Sequence, residues 1–376
     1  MVKVSLLGPM PPFRGGIARH SERLARELAS RADVSFSAFT FSNLYPAWLY
    51  PGQDQLDPEL PPSSASAVVD SIWPLSWRRA AQAIAHGRPD ILIMPAWTFF
   101  VAPALGWIAA RLRRKGTKVA MIVHNAEDHE GAGWKRRLLR YQLAQADALV
   151  THNQALADNI RAQLPAARIS VAPHPVYDDY PAATGALKRE AGLELIFFGL
   201  IRRYKGLDIA LRAVAASRID DIRLTVVGEF WESRSTIEEL IKSLGLASRV
   251  ELVPRYVSDQ DAAEYFDRAD AVLLPYRAAS GSGVVALAMH YRRPSIVSDV
   301  PGLAHAIRDG ETGWLFPADD YQALAKLLQT GVSRQKAAAM APALEDEARR
   351  LSWQRFADAV LESLPRETQK LNSADS

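Results

Sequence analysis

Leu195-Ile-Phe-Phe-Gly-Leu-Ile-Arg-Arg-Tyr-Lys-Gly-Leu-Asp-Ile-Ala-Leu-Arg-Ala-Val-Ala-Ala216 decides the fold of this chain. Leu195–Phe198 is a short, uninterrupted apolar run, the pattern of a strand buried on both faces. Gly206–Ala216 then reads as a helix, and the loop between them carries Arg202, Arg203 and Lys205. A buried strand leading into a helix is half of a parallel crossover unit. Outward from it the unit repeats, with strands expected at Leu224–Val227, Val250–Leu252, Ala271–Leu274 and Ser295–Ser298. Helices fall between them at Ser233–Leu244, Ser258–Ala269 and Gly283–His290.

The N-terminal half repeats the alternation. Strands are expected at Val2–Leu7, Val34–Phe39, Ile91–Met94, Val119–Val123, Ala148–Thr151 and Ile169–Val171, with helices such as Gly16–Ala29 and Trp134–Gln145. Tyr45–Ser66 is rich in Pro, Ser and Asp and reads as loop. The polar stretch from Pro175 to Leu193 is the expected linker. The fold class is therefore α/β, with two doubly wound Rossmann-like domains over 1–178 and 190–350. A C-terminal helix at 351–366 and a disordered tail at 367–376 complete the expectation. Ligands of such sheets bind beyond the carboxyl ends of the strands, here in an interdomain cleft.

Composition sets limits. The 376 residues are 48% hydrophobic and 23% charged, the balance of an ordinary globular protein. Without cysteine, disulfides, thiolate metal sites and cysteine nucleophiles are excluded. A formal charge of +3 gives no case for nucleic acid. Gly8, Pro9, Pro11 and Pro12 stop the apolar opening too soon for a signal peptide, so a cytoplasmic location is expected. Ile91–Ala110 carries no charge over twenty residues. Pro95 and Pro103 divide it, and it reads as strand, loop and helix rather than a membrane span.

Four motifs carry chemistry, each at a strand-to-helix junction. Gly15 and Gly16, after the first strand, let backbone approach a ligand and present helix amides to an anion. The spacing is not the G-x-G-x-x-G of a dinucleotide site. His124-Asn125-Ala-Glu-Asp128-His129-Glu130 follows the fourth strand and gathers titratable groups where chemistry is well placed. Sugar binding ranks there above a metal site built from His124, Asp128 and His129, because no helical H-x-x-x-H spacing occurs. Gly199 through Gly206 places Arg202, Arg203 and Lys205 on one loop, a set that suits a diphosphate. In Ser280-Gly281-Ser282-Gly283-Val284, small residues at a helix start expose amides for phosphate, against the plainer reading of a serine-capped helix.

In their order and spacing these motifs resemble those of the family 4 glycosyltransferases with the GT-B fold. The likeness includes Gly15-Gly16-Ile17, His124-Asn125 with His129-Glu130, Pro173-His174-Pro175-Val176-Tyr177, Pro294–Asp299 and Asp309–Gly313. It is greatest to a subgroup of exopolysaccharide and lipopolysaccharide assembly. The resemblance implies a retaining transferase with a nucleotide-sugar donor on the second domain and a glycan or lipid-linked acceptor on the first. Arg202 and Lys205 would hold the diphosphate with amides near Ser282, Gly283 and Val284, and Arg255-Tyr256-Val257 would meet the base. His124 would sit near the transferred sugar, with Asn125, Asp128, His129 and Glu130 toward the acceptor. It also implies no metal and no cofactor beyond the donor, in keeping with the lack of a D-x-D motif at a strand end.

The chain departs from the family pattern at two glutamates, where Ala279 and Leu287 stand. The arginine expected directly after Gly199 is also displaced, with Leu200 in its place and Arg202 two residues on. A non-catalytic GT-B subunit binding sugar or a partner protein, or a nucleotide-sugar epimerase, are the alternative readings. Basic and aromatic residues interleave at Trp73–Arg79, Arg111–Lys115 and Trp134–Tyr141. These clusters suit peripheral contact with an anionic membrane, and each alone also reads as a solvated helix face.

Overall fold

The computed structural model describes residues 1–46, 54–58, 60–125 and 133–365. The chain forms two compact units. Met1–Pro46, Leu60–Ala172 and the chain from Gln354 on make up the first, and Pro173–Trp353 belongs to the second.

The first unit is a seven-stranded sheet of β1 (Val2–Leu7), β2 (Val34–Asn43), β3 (Ser66–Asp70), β4 (Ile91–Ala96), β5 (Lys118–Val123), β6 (Ala148–Thr151) and β7 (Ile169–Val171), in the order β3-β2-β1-β4-β5-β6-β7. Every pairing is parallel. Its helices are α1 (Gly16–Ala29), α2 (Pro74–His86), α3 (Ala102–Arg113), α4 (Gly133–Leu143) and α5 (Gln154–Gln163).

The second unit holds a six-stranded parallel sheet of β8 (Leu193–Phe198), β9 (Ile222–Val227), β10 (Val250–Val253), β11 (Ala271–Leu274), β12 (Ser295–Ser298) and β13 (Gly313–Phe316), in the order β10-β9-β8-β11-β12-β13. Its helices are α6 (Leu207–Ala216), α7 (Arg234–Ser243), α8 (Asp259–Arg268), α9 (Gly283–His290), α10 (Pro301–Ala304), α11 (Tyr321–Thr330), α12 (Arg334–Ala339) and α13 (Ala341–Arg350). A final helix, α14 (Trp353–Ser363), follows. Both sheets are doubly wound, the α/β architecture expected from the sequence.

The central strands are apolar on both faces because helices cover both. Leu92, Ile93 and Met94 of β4 and Leu224, Val226 and Val227 of β9 are fully buried. α14 packs on the first unit, where Phe356 stacks against the ring of His152 at 5.6 Å and meets His20 edge-on at 5.2 Å. Asp358 of the same helix forms an ion pair of 2.6 Å with Arg31, just past α1.

Three readings change in detail. Pro95 does not end β4, which continues to Ala96. Pairing of β4 with β1 stops at Ile93, so the missing N–H of Pro95 faces no strand partner. Its carbonyl accepts from Gln142 Nε2 at 3.1 Å. Ser66–Asp70 is a strand rather than the border of a loop, an edge strand whose register on β2 is broken twice. The polar stretch has no helix or strand before β8 begins at Leu193, yet it is pinned within the second unit. Glu264 accepts from the Thr184 amide and hydroxyl and from the Ala186 amide, and these bonds hold its carboxyl down at about 2. Residues 366–376 lie outside the described part of the chain.

Candidate functional site

The strand order of the second sheet reverses between β8 and β11, which pair through Leu195 and Ala271. Loops leaving two such strands at their carboxyl ends diverge, and ligands bind there. Those two loops are Gly199–Gly206 and Pro275–Ser282.

The first loop is held along its whole length. Ile201 N donates to Glu229 O at 2.8 Å, and Trp231 N donates back to Ile201 O at 2.9 Å. The Arg202 guanidinium lies 4.1 Å from the centre of the Trp231 ring, so its plane is fixed by stacking. Arg203–Lys205 forms one 3-10 turn, and Gly206 closes it in the left-handed region at φ 69°. A β-carbon on Gly206 would sit 2.1 Å from Pro275 O, so the backbone of one loop touches that of the other. Arg277 N donates to Tyr204 O at 2.7 Å, and the Arg277 side chain reaches Arg203 O and the Asp208 carboxylate.

Lys205 is 8% exposed. Its Nζ lies 3.1 Å from where a β-carbon of Gly199 would be and 5.5 Å from the Tyr276 ring centre. Among the described residues no carboxylate pairs with Lys205 or Arg202. Burial, and then the neighbouring Arg202 charge, push the Lys205 ammonium down to about 7. Holding it charged costs roughly 5 kcal/mol at about 1.4 kcal/mol per pKa unit. Both basic side chains thus sit on a tied loop with no carboxylate partner among the described residues. Burial also raises the Tyr276 phenol.

The second loop leads into α9. Ser282 caps that helix, its Oγ accepting from Val284 N at 3.2 Å. Gly281 and Gly283 flank the cap, and a β-carbon on Gly283 would meet the Tyr177 hydroxyl at 3.3 Å. Ser280 is braced from below, since a β-carbon on Gly302 would fall 2.9 Å from its carbonyl carbon. Of the positions that depart from the family pattern, Leu287 is buried in the packing of α9. Arg255, Tyr256 and Val257 follow β10 at the same carboxyl end. Arg255 is tied to Asp261 at 3.0 Å, Tyr256 is exposed and Val257 is buried.

In the first unit, Gly15 at φ 104° precedes α1, and Gly16 begins that helix after β1. His124 and Asn125 follow β5, both donating their amides to Ala96 O at 2.9 and 3.4 Å. His124 Nδ1 lies 3.1 Å from His152 Nε2. Its ring meets His20 edge-on at 4.6 Å. Asp128, His129 and Glu130 lie outside the described residues.

Sequence reading did not single out His20, His152 or Trp231. For His152 a signal existed: it stands one residue past β6, as His124 stands one residue past β5, and Val123 pairs with Thr151.

The three basic and aromatic clusters fall on α2, α3 and α4, which pack side by side with α3 in the middle. Trp73, Leu75, Trp134 and Tyr141 are exposed there. So are Arg78, Arg79, Arg113, Arg114, Arg136, Arg137 and Arg140. Among the described residues no helix is long and apolar enough to cross a membrane.

Fold and site together define a two-unit α/β protein with Arg202 and Lys205 beside the strand-order reversal of the second sheet. Comparison with known proteins gives the class. Residues 14–180 match Glycosyltransferase Family 4 and residues 192–333 match Glycosyl transferases group 1, so both halves carry glycosyltransferase domains. A D-inositol 3-phosphate glycosyltransferase of Rhodococcus opacus is 31% identical over 236 residues, 60% of this chain and 52% of that protein. A GDP-mannose:glycolipid 4-beta-D-mannosyltransferase of Xanthomonas campestris is 26% identical over 214 residues, 55% of this chain and 57% of that protein. The chain thus spans about half the length of the curated relatives it matches.

Among solved structures, sucrose-phosphate synthase of Thermosynechococcus elongatus superposes with a TM-score of 0.72 at 18% identity, covering 96% of this chain and 98% of that one. Anabaena HepE in complex with UDP gives 0.72 at 17%, covering 96% and 100%. The lipopolysaccharide outer core galactosyltransferase WaaB gives 0.69 at 15%, also covering 96% and 100%. These likenesses establish the fold.

The burial of Lys205 predicts an unusual stability profile. Its folded pKa lies below the unfolded value of 10.5, so stability is full above that pH and lost as pH falls toward 7. Lys205→Met therefore raises the ligand-free unfolding free energy at pH 6.5 by at least about 2 kcal/mol and flattens its rise between pH 7 and 10. Urea denaturation across that range reads both effects.

Proposed function

We propose that the chain is a retaining glycosyltransferase, moving a sugar from a nucleoside-diphosphate donor to a glycan or lipid-linked acceptor in envelope or exopolysaccharide synthesis. The observation that carries this reading is the Arg202 and Lys205 pair, buried or stacked beside the β8–β11 reversal with no acidic partner among the described residues. A diphosphate supplies the missing charge. As the bond to the sugar breaks, negative charge grows on the leaving diphosphate, and fixed cations stabilise that transition state more than the ground state. Among the described residues no side chain of the site is an evident nucleophile, so the acceptor hydroxyl would arrive on the face the diphosphate leaves. No metal is called for in this reading, since the two cations do its electrostatic work.

The remaining roles follow the family resemblance. Tyr256, exposed beside Val257, would meet the base. Ser280 to Val284 would line the phosphates, with Ser282 holding the start of α9 in shape. Gly15 and Gly16 would border the reacting centre, with His124 on the transferred sugar and Asn125 toward the acceptor. The glycosyltransferase domains, and nucleotide-bound neighbours such as HepE with UDP and with UDP-glucose, support a nucleotide-sugar donor. The glycolipid mannosyltransferase and WaaB support an envelope acceptor. The α2–α4 layer, with exposed rings among arginines, suits a lipid-linked acceptor reached at the inner face of an anionic membrane.

Thermal shift against UDP-, GDP-, dTDP- and ADP-sugars tests the donor site. One nucleotide class stabilises the protein, by about 2.7 kcal/mol at a hundredfold excess over Kd, and Lys205→Ala abolishes the effect. A shift undiminished in that variant removes Lys205 from the site, and none with any donor favours a non-catalytic subunit. For the membrane, flotation with phosphatidylserine vesicles captures the protein at low salt and releases it at high salt. Failure to float at low salt rejects that contact.

A further inference from the structure

We propose that two aromatic rings take the place of counter-ions at the second sheet. Trp231 holds the Arg202 guanidinium and Tyr276 the Lys205 ammonium by their π faces, leaving both charges uncancelled for a diphosphate. The inference rests on the diphosphate site proposed above and makes both rings positioning residues of it.

Strand register puts the first pair together. β8 and β9 run in parallel up to Phe198 and Val227. Past that point the pairing resumes in a single bridge between Ile201 and Phe230, with Ile201 fully buried. The next residues on each side, Arg202 and Trp231, therefore stand side by side, and the guanidinium carbon lies 4.1 Å from the ring centre.

The loop after β11 sets the second pair. Arg277 N donates to Tyr204 O at 2.7 Å, and the backbone of Gly206 lies against Pro275 O. These two contacts bracket Tyr276 in one loop and Lys205 in the other. The Lys205 Nζ accordingly lies 5.5 Å from the Tyr276 ring centre. Tyr276 is 2% exposed, and its carbonyl accepts from the hydroxyl of buried Ser298.

A ring face attracts a cation through its quadrupole, most strongly where water is excluded, and carries no net charge. A carboxylate in the same place would also hold the cation, but it would neutralise the site and repel a diphosphate. The charges that bear on Lys205 are few. Arg202 acts on it and disfavours its charged form. Arg203 of the same turn is exposed, and Arg277 is paired with Asp208 and Asp319. The Tyr204 and Tyr276 rings pack together at 5.9 Å, and burial keeps both phenols neutral. The two rings of the proposal therefore act on Lys205 with opposite sign. Tyr276 favours its charged form directly, and Trp231 disfavours it by keeping Arg202 near.

The test is titration of Lys205 in the ligand-free protein, in phosphate-free buffer, by carbon-13 NMR of labelled lysine. The signal is assigned by its loss in Lys205→Met. Wild type and Tyr276→Phe titrate alike, at about 7. Phenylalanines bearing one, two and three ring fluorines at position 276 keep the shape and drain the face. The Lys205 pKa then falls stepwise, by about one unit with three fluorines. Trp231→Leu frees Arg202 and raises the Lys205 pKa by about half a unit, whereas Trp231→Phe does not. In Arg202→Met, where that charge is already gone, adding Trp231→Leu changes nothing. A flat fluorine series overturns the inference, as does a Trp231→Leu response that is absent or persists without Arg202, because a ring that only fills space gives those results. No ligand enters the measurement, so a protein that binds no nucleotide fails the functional proposal and leaves the titration decisive for the rings.

Discussion

A lysine ammonium held out of water must find an anion or lose its proton, and Lys205 is held where the described residues offer none. The turn that carries it cannot relax away. Gly206 closes it in a conformation that other residues resist, with its backbone against Pro275. Arg277 ties the same turn to the loop after β11 and to Asp208 of α6. Stacking on Trp231 keeps Arg202 beside it, which adds repulsion rather than relief. Stability is lost at this point of the second unit. In the function proposed above, a diphosphate restores it, and that exchange would link the packing to donor binding.

The first unit uses its sheet in a related way. Parallel strands in register deliver consecutive side chains to one edge, and there they form a row of histidines braced by α1 and α14. Leu287, where the family carries a glutamate, is buried in the packing of α9.

Much of this was legible in the sequence because central parallel strands must be apolar throughout. Leu195–Phe198 and Val119–Val123 could hardly be read otherwise, and the loops following them carry the charged and polar residues of the site. Edge strands gave less signal. Ser66–Asp70 and Gly313–Phe316 are short, and the first has polar ends. Pro95 misled because its harmlessness depends on where β1 stops pairing, which is a tertiary fact. Trp231 and His152 meet neighbours distant in sequence, so only the fold shows what they touch. The polar linker looked free, since the bonds it makes are to Glu264, some eighty residues on.

The central claim is that Lys205 meets a diphosphate, and calorimetry of nucleoside diphosphate binding tests it most directly. At pH 8 a lysine near 7 is mostly neutral, and binding an anion must recharge it. Titrating UDP and GDP into the protein in two buffers of different ionisation enthalpy counts the protons. The account predicts uptake of about one proton for each nucleotide bound at pH 8, declining toward pH 6. Binding with a heat independent of buffer at pH 8 would contradict it.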